Sequence, residues 1–170
     1  MRAKAQFPYD ALPEVPAFEV VSDDVRAGDA MAMVHVHPGL GGENRSPHLR
    51  WSGFPAETAG FAVTCLDPDA PTGSGFWHWS VVGIPAGVTE LPAGGPLPEG
   101  AFCVRNDYGE RDYGGPFPPA GDEPHRYIFA VHALKAPLTD VDADATPAVV
   151  GFNLTFATIA RGFLVPVFGQ

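Results

Sequence analysis

Glycine and proline constrain the fold of this chain more than any other residue type. The 170 residues include 20 glycines and 19 prolines, which separate short apolar runs rich in Val, Phe, Ile and Trp. Turn-forming residues on both sides of short apolar runs are typical of β-strands joined by loops. The pattern therefore favours an antiparallel β-sandwich or barrel over a doubly wound sheet.

The length and composition are those of one folded domain, which is predicted to span residues 1–170. Hydrophobic residues make up 45% of the chain and charged residues 18%, so disorder is disfavoured and a sizeable core can form. The sequence shows no internal repeat. Residues 93–100, which are rich in Gly and Pro, are predicted to form a loop inside this domain.

The formal net charge of −10 restricts the classes of partner. It disfavours nucleic acid, because phosphate backbones are bound by clustered Lys and Arg, and this chain has no basic run. An anionic ligand would have to be held by local His, Arg and backbone N–H groups against the overall field.

The cysteines and the N-terminal residues bear on the compartment. Cys65 and Cys103 form neither a CxxC pair nor a dense framework, so both are predicted to be reduced core residues. No apolar stretch follows the N-terminal charges as in a secretory signal, and none approaches the roughly 18 residues of a membrane span. We expect a cytoplasmic protein without stable membrane insertion.

Three short apolar segments are predicted to be strands, namely residues 61–67, 76–84 and 125–134. Side chains alternate between the two faces of a strand. In the second segment this period places Trp77 and Trp79 on one face, with His78 and Ser80 on the other. His78 and Ser80 are therefore predicted to point in the same direction.

The C-terminal part is predicted to contain a helix. Thr146 can cap the helix with Pro147 at its first position, and Gly162 ends the pattern. Between them, apolar residues repeat at helical spacing, namely Val149, Phe152, Phe156 and Ile159. Residues 164–168 are predicted to return as a short final strand.

Two proline-rich loops are candidates for a binding site. Asp67-Pro-Asp-Ala-Pro71 holds two carboxylates in a stiff segment, which suits a site but is also typical of a tight turn. The segment 113–121, Tyr-Gly-Gly-Pro-Phe-Pro-Pro-Ala-Gly, leads to His125, Arg126 and Tyr127. Its glycines could bring N–H groups close to an anion, but the segment could equally be a surface connection before a core histidine.

The two loops and the Trp-His-Trp strand between them occur together in a fixed order. With these motifs, the chain resembles the phosphatidylethanolamine-binding proteins, also called Raf kinase inhibitor-like proteins, and their bacterial and archaeal branch in particular. The similar segments are residues 44–51 (NRSPHLRW), 67–79 (DPDAPTGSGFWHW) and 125–134 (HRYIFAVHAL). The resemblance extends over about residues 23–168.

The resemblance implies a Greek-key-like antiparallel sandwich of two sheets, a C-terminal helix, and a pocket at one end for phosphate-type groups. It implies no metal and no cofactor. The ligand-binding residues carried over by motif are Asp67, Asp69, Pro71, His78, Gly115, Pro119, His125 and Tyr127, with Asp69 in a supporting role.

The chemistry of these residues suits an anion. The imidazoles of His78 and His125 and the hydroxyl of Tyr127 can donate hydrogen bonds to it. Asp67 can orient an imidazole or accept from a protonated ligand oxygen, but its ionised form would repel a dianion. We therefore expect binding to strengthen as the imidazoles gain protons and to weaken at alkaline pH.

The sequence departs from the family pattern at two places. Phe117 stands in the second loop where vertebrate members place a glycine, which predicts a narrower or more apolar pocket mouth. Residues 31–37 also differ from the prolines and tyrosine expected there. His35 and His37 in this segment are predicted to lie on one exposed strand face.

The resemblance favours a binding protein over an enzyme. The expected ligand is phosphate or a phospholipid headgroup, and a kinase or protease is the class of protein partner that the family suggests, with a homodimer as the assembly. Two hydrolase alternatives stay open. One is metal-dependent and gathers Asp67, Asp69, His78 and His125. The other uses Ser74 or Ser80 with His78, although the G-x-S-x-G elbow is missing.

Overall fold

The computed structural model describes residues 4–170 and consists mainly of β-strands. The strands are β1 (Glu19–Val21), β2 (Leu49–Ser52), β3 (Gly60–Asp67), β4 (Phe76–Pro85), β5 (Glu90–Leu91), β6 (Phe102–Cys103), β7 (His125–Arg126), β8 (Ile128–Leu134), β9 (Thr158–Leu164) and β10 (Val167–Phe168). The α-helix is α1 (Pro147–Ala157), and short 3-10 turns occupy parts of the loops.

The strands form a sandwich, as predicted. The larger sheet has the order β6-β4-β3-β8-β9, and the smaller one has the order β1-β2-β5. The named strands pair antiparallel throughout. A separate two-stranded pairing of β7 with β10 is added at one end. Among residues 4–170, no helix is long and apolar enough to cross a membrane.

The main core lies between the two sheets. Leu49 and Trp51 of the smaller sheet belong to the same buried cluster as Val63, Trp79 and Phe129 of the larger one. A second cluster covers the outer face of the larger sheet, where α1 packs through Val150 and Leu154. Because both faces of the larger sheet are covered, every residue of its central strand β3 is buried.

The predicted strands form, with two interruptions. The segment 125–134 divides into β7 and β8 at Tyr127, whose N–H donates to the carbonyl of Pro166 instead of to a neighbouring strand (3.0 Å). The predicted final strand also divides, since Leu164 ends β9 and β10 begins at Val167. Cys65 and Cys103 are free buried thiols, as expected.

A β-bulge at His78 overturns the predicted face alternation of β4. Trp77 pairs with Leu66 and Trp79 pairs with Cys65, so His78 is an extra residue without a partner on β3. An inserted residue shifts the two-residue period. Trp79 consequently lies in the core between the sheets, while Trp77 lines a cavity on the outer face.

The same bulge separates His78 from Ser80. Ser80 pairs with Thr64, whose hydroxyl contacts Tyr9 and His132 on the outer face of the sheet. The prediction that His78 and Ser80 share a face is therefore wrong, for the same physical reason.

Helix α1 begins as predicted but packs through a different side. The Thr146 hydroxyl accepts from the N–H of Val149 (3.3 Å), and Pro147 follows at the first position. The helix ends at Ala157, so Ile159 belongs to β9. The repeat that predicted the helix faces outward, with Phe152 67% and Phe156 63% exposed. Because apolar residues occur around most of the helix, the repeat did not identify the buried side. The helix packs on the sheet through Val150 and Leu154.

The prediction for His35 and His37 is also wrong. Residues Met33–His35 form a 3-10 turn, and His35 is buried with its Nδ1 2.7 Å from the carbonyl oxygen of Arg45. The hydrogen bond with this carbonyl satisfies the ring nitrogen, so His35 can be buried in a turn and need not lie on an exposed strand. His37 lies outside that turn and stacks on Phe117.

Two glycines with opposite surroundings provide a test of the packing. A Cβ at Gly162 of β9 would lie 2.6 Å from both the carbonyl oxygen of Phe18 and the Cγ2 of Val20, whereas Gly151 in α1 has open space around it. We expect Gly162→Ala to lower the free energy of unfolding by about 1–3 kcal/mol through overpacking. Gly151→Ala should raise it by about 0.5–1 kcal/mol, since Ala is the better helix former.

Urea unfolding of both variants beside the wild type measures these changes. Changes of the same sign in the two variants would contradict this account of how β9 packs against β1.

Candidate functional site

The two proline-rich loops border a cavity of about 230 Å³ at one end of the larger sheet. It lies where β3 ends at Asp67, β4 begins at Phe76 and β7 begins at His125. Five of the eight residues carried over by motif line it, namely Asp67, Pro71, His78, Pro119 and His125. The strand ends therefore bring together side chains from three distant parts of the sequence.

A buried hydrogen bond between Asp67 and His125 forms one wall of the cavity. The Asp67 Oδ2 lies 2.8 Å from the His125 Nδ1, and each side chain is only 4% exposed. The other oxygen, Oδ1, accepts from the backbone N–H of Asp69 (2.8 Å). Burial raises the pKa of Asp67, and the hydrogen bond from His125 partly opposes this rise.

The other ring nitrogen of His125 faces a second carboxylate. Its Nε2 lies 3.2 Å from the Oδ2 of Asp122. The two carboxylates hold the orientation of the ring, and both of its nitrogens are engaged within the protein.

His78 presents a hydrogen-bond acceptor and not the expected donor. Its Nδ1 lies 2.7 Å from the carbonyl oxygen of Gly114, which accepts only, so Nδ1 carries the proton. Burial lowers the pKa of His78 to about 4, so the ring is neutral at neutral pH. Nε2 is then left with a lone pair that can accept from a ligand.

Asp69 supports the site from outside the cavity. Its carboxylate accepts from Arg126 at Nε (2.8 Å), at a terminal guanidinium nitrogen (2.7 Å) and at the backbone N–H (3.1 Å). Burial disfavours the charged form, but the hydrogen bonds and charge of Arg126 hold the pKa of Asp69 below its usual range. This bidentate pair ties the Asp67–Pro71 loop to β7.

Gly115 and Tyr127 stand behind the lining residues. The Gly115 N–H donates to the side chain of Asn44 (2.8 Å), and a Cβ here would come within 2.6 Å of backbone atoms of residues 35–37. Gly115 thus serves close packing and not the approach of an N–H to an anion. Tyr127 is 1% exposed and packs edge-on against the ring of His78, so its hydroxyl does not reach the cavity.

An aromatic wall, defined here as Phe76, Tyr108 and Phe117, forms the remaining side of the cavity. The rings of Phe76 and Tyr108 meet edge to face at 4.7 Å, and Phe117 is 45% exposed at the mouth. Phe117 makes the mouth more apolar, as its departure from the family pattern predicted. Tyr108 was missed, because it lies in a turn that matches none of the motifs.

Comparisons with known proteins identify the family of this chain. The sequence model described as phosphatidylethanolamine-binding protein matches residues 21–169. The chain belongs to the phosphatidylethanolamine-binding protein family. The UPF0098 protein YbcL of Escherichia coli K12 is 47% identical over 91% of this chain and 89% of its own length. The UPF0098 protein YbhB of the same organism is 47% identical over 88% and 99%.

A solved structure also supports the membership of this chain in the phosphatidylethanolamine-binding protein family. The crystal structure of E. coli YbcL, described as a new member of the mammalian PEBP family, matches with a TM-score of 0.86 over 90% of this chain and 98% of that chain. Neither the family description nor these relatives' names carries an enzymatic activity.

The residues of the site do not favour either hydrolase alternative. Across the described residues 4–170, no three or more His, Cys, Asp or Glu side chains gather in a way that could hold a metal ion. Asp69, which the metal hypothesis needs, is engaged by Arg126. Ser80 lies on the outer face of β4, away from the cavity that His78 lines.

The Asp69–Arg126 pair predicts how acid affects stability. Because the folded-state pKa of Asp69 is lowered, the pair stabilises the fold above the unfolded pKa of about 3.9, and this contribution is lost as the pH falls through the folded pKa. We expect Asp69→Asn to lower the free energy of unfolding at pH 6 by about 1.5–3 kcal/mol. The difference from the wild type should shrink between about pH 4 and pH 2.

Denaturant unfolding across this pH range measures the effect. Asp144→Asn is the matched control, since the pair of Asp144 with Arg111 is mostly exposed and should contribute about 0–1 kcal/mol. A pH-independent difference for Asp69→Asn would contradict the assignment.

Proposed function

We propose that the cavity beside Asp67 and His125 binds a small phosphate ligand, and that the zwitterionic phosphoethanolamine headgroup suits it best. The observation that carries the proposal is the buried Asp67–His125 hydrogen bond beside the neutral acceptor of His78. Family membership supports a binding module of this kind.

The charges around the cavity favour a phosphate that keeps one proton. None of the lining residues that the structure describes is Lys or Arg, while Asp67 lines the cavity and Asp122 lies next to His125. A dianion would meet carboxylates without a compensating cation. A singly protonated phosphate can donate its P–OH to His78 or Asp67, whereas a dianion has no proton to donate.

The aromatic wall supplies a place for the ammonium group. Phe76, Tyr108 and Phe117 line the same cavity as Asp67. A cation over an aromatic face gains about 0.5–2 kcal/mol, and a zwitterion without net charge avoids the repulsion that the net charge of −10 exerts on inorganic phosphate. A zwitterion therefore fits this site better than inorganic phosphate.

Calorimetric titration at pH 6 tests the site. Phosphoethanolamine should bind the wild type more tightly than inorganic phosphate does, and His125→Ala should weaken phosphoethanolamine binding at least tenfold. His48→Gln is the matched control, because His48 also contacts two carboxylates, Asp23 and Glu90, but lies outside the cavity.

Equal binding by wild type and His125→Ala would overturn the location of the site. Absence of binding by the wild type would overturn the ligand class and make a protein-interaction surface the better hypothesis.

The proton on the ligand gives a separate pH prediction. A phosphomonoester loses its second proton near pH 6, so phosphoethanolamine affinity should fall by about tenfold or more between pH 5.5 and pH 8. Glycerophosphoethanolamine is a diester that has no second ionisation and no P–OH to donate. It should therefore bind more weakly than the monoester at pH 5.5, and any pH dependence of its affinity reports on groups of the protein itself. The proposal fails if the affinity of the monoester does not fall relative to that of the diester between pH 5.5 and pH 8.

From the family resemblance we also propose a regulatory role toward a kinase or protease, a homodimer, a cytoplasmic location and the absence of turnover. Light scattering tests the assembly, since a monomer has a mass of 18.0 kDa and a dimer twice that. Phosphorus NMR of phosphoethanolamine incubated with the protein tests turnover, because hydrolysis would release inorganic phosphate.

A further inference from the structure

A second cavity of about 350 Å³ lies on the outer face of the larger sheet, between α1 and the segment that precedes β1. It shares no lining residue with the Asp67 cavity. Most of its wall is apolar and comes from Leu12, Leu66, Trp77, Phe152 and Leu154. Its size lies within the range of about 300–1,000 Å³ that is usual for small-molecule sites.

Arg161 brings a positive charge without a carboxylate partner to this cavity. It is only 6% exposed, its guanidinium carbon lies 5.0 Å from the centre of the Tyr9 ring, and its Nε donates to His132 (3.3 Å). No carboxylate among residues 4–170 pairs with it, whereas Arg126 and Arg111 each have an Asp partner. A buried charge without a partner is costly unless a ligand compensates it.

The other polar groups at the cavity are neutral. His132 bonds to Thr64 through Nε2 (3.3 Å), and Thr64 bonds in turn to the hydroxyl of Tyr9 (3.2 Å). Burial and the charge of Arg161 lower the pKa of His132 to about 3, so this imidazole carries no charge at neutral pH. Arg161 is thus the one ionised side chain among the described lining residues.

We propose that this cavity binds a monocarboxylate with an apolar body, such as an arylalkanoate, whose carboxylate pairs with the guanidinium of Arg161. A planar guanidinium matches a carboxylate through two parallel hydrogen bonds. A single cation in an apolar wall compensates one negative charge, which disfavours a phosphate dianion. A cavity of about 150 Å³ already holds benzene, so this one has room for a ring and a short chain.

The mouth of the cavity fits the same ligand class. Phe152 lines the cavity and is 67% exposed, and its ring packs against that of Phe156 at 5.2 Å. The pair extends the apolar wall outward along α1. An apolar body longer than the cavity can therefore continue along these rings while its carboxylate stays on Arg161.

Tryptophan fluorescence provides the test, because Trp77 lines the cavity. The probes are 4-phenylbutyrate and its uncharged amide, titrated at pH 7 into the full chain. We expect the carboxylate to bind at least tenfold more tightly than the amide, and Arg161→Met to abolish this preference. Arg111→Met, at an exposed arginine, and His125→Ala, in the other cavity, are controls that should keep it.

A second variant tests the location without touching Arg161. Gly151 lines the cavity and has open space around its Cα, so Gly151→Leu should fill the cavity and keep the helix. We expect this variant to lose 4-phenylbutyrate binding by at least tenfold.

Equal affinities for the carboxylate and the amide would overturn the proposal, as would no binding of either. Wild-type binding by Gly151→Leu would place the ligand elsewhere and overturn it too. If Arg161→Met does not fold, the comparison of carboxylate with amide and the Gly151→Leu variant still decide.

Discussion

The burial of strand β3 on both faces is the constraint on which both cavities depend. Residues Gly60–Asp67 are buried throughout, and the strand bonds to β4 on one side and β8 on the other. It therefore cannot shift its register without exposing apolar side chains. Its last residue, Asp67, is a carboxylate, and the fixed register holds this carboxylate against His125 at the start of β7.

The bulge at His78 divides one strand between two different environments. Without the extra residue, Trp77 and Trp79 would face the same side, so Trp77 would not line the outer cavity. With it, His78 lines the Asp67 cavity and Trp77 lines the Arg161 cavity. The two cavities then lie on either side of β4 with opposite electrostatic character, one with carboxylates and the other with a cation.

The sequence predicted those parts that local motifs determine. The Asp67–Pro71 loop and the His125–Tyr127 segment carry distinctive residues in a fixed order. Five of the eleven residues that line the cavity were therefore among the site residues named from the sequence. The bulge at His78 could not be predicted, because the alternation of side chains along a strand does not indicate where an extra residue is inserted. Tyr108 was missed for a related reason, since a turn tyrosine joins the site only through the fold.

Side-chain burial also could not be read from residue type, and it changes the chemistry most. From the sequence, His78 was a donor to an anion. The carbonyl of Gly114 fixes its proton on Nδ1, and burial keeps the ring neutral, so the same residue becomes an acceptor. Arg161 belongs to none of the sequence motifs. Only its burial, together with the lack of a carboxylate partner, distinguishes it from a surface arginine.

The ligand classes that we propose follow from these protonation states together with the overall charge. In a protein of net charge −10, a phosphate site without Lys or Arg in its lining gains little from attraction to the anion itself. Recognition must then come from a proton that the ligand supplies and from a cation that it carries. A free dianion offers neither, whereas a monoprotonated zwitterion offers both. Selectivity at this site would accordingly arise from the carboxylate of Asp67 and the lone pair of His78, which reject the fully ionised ligand.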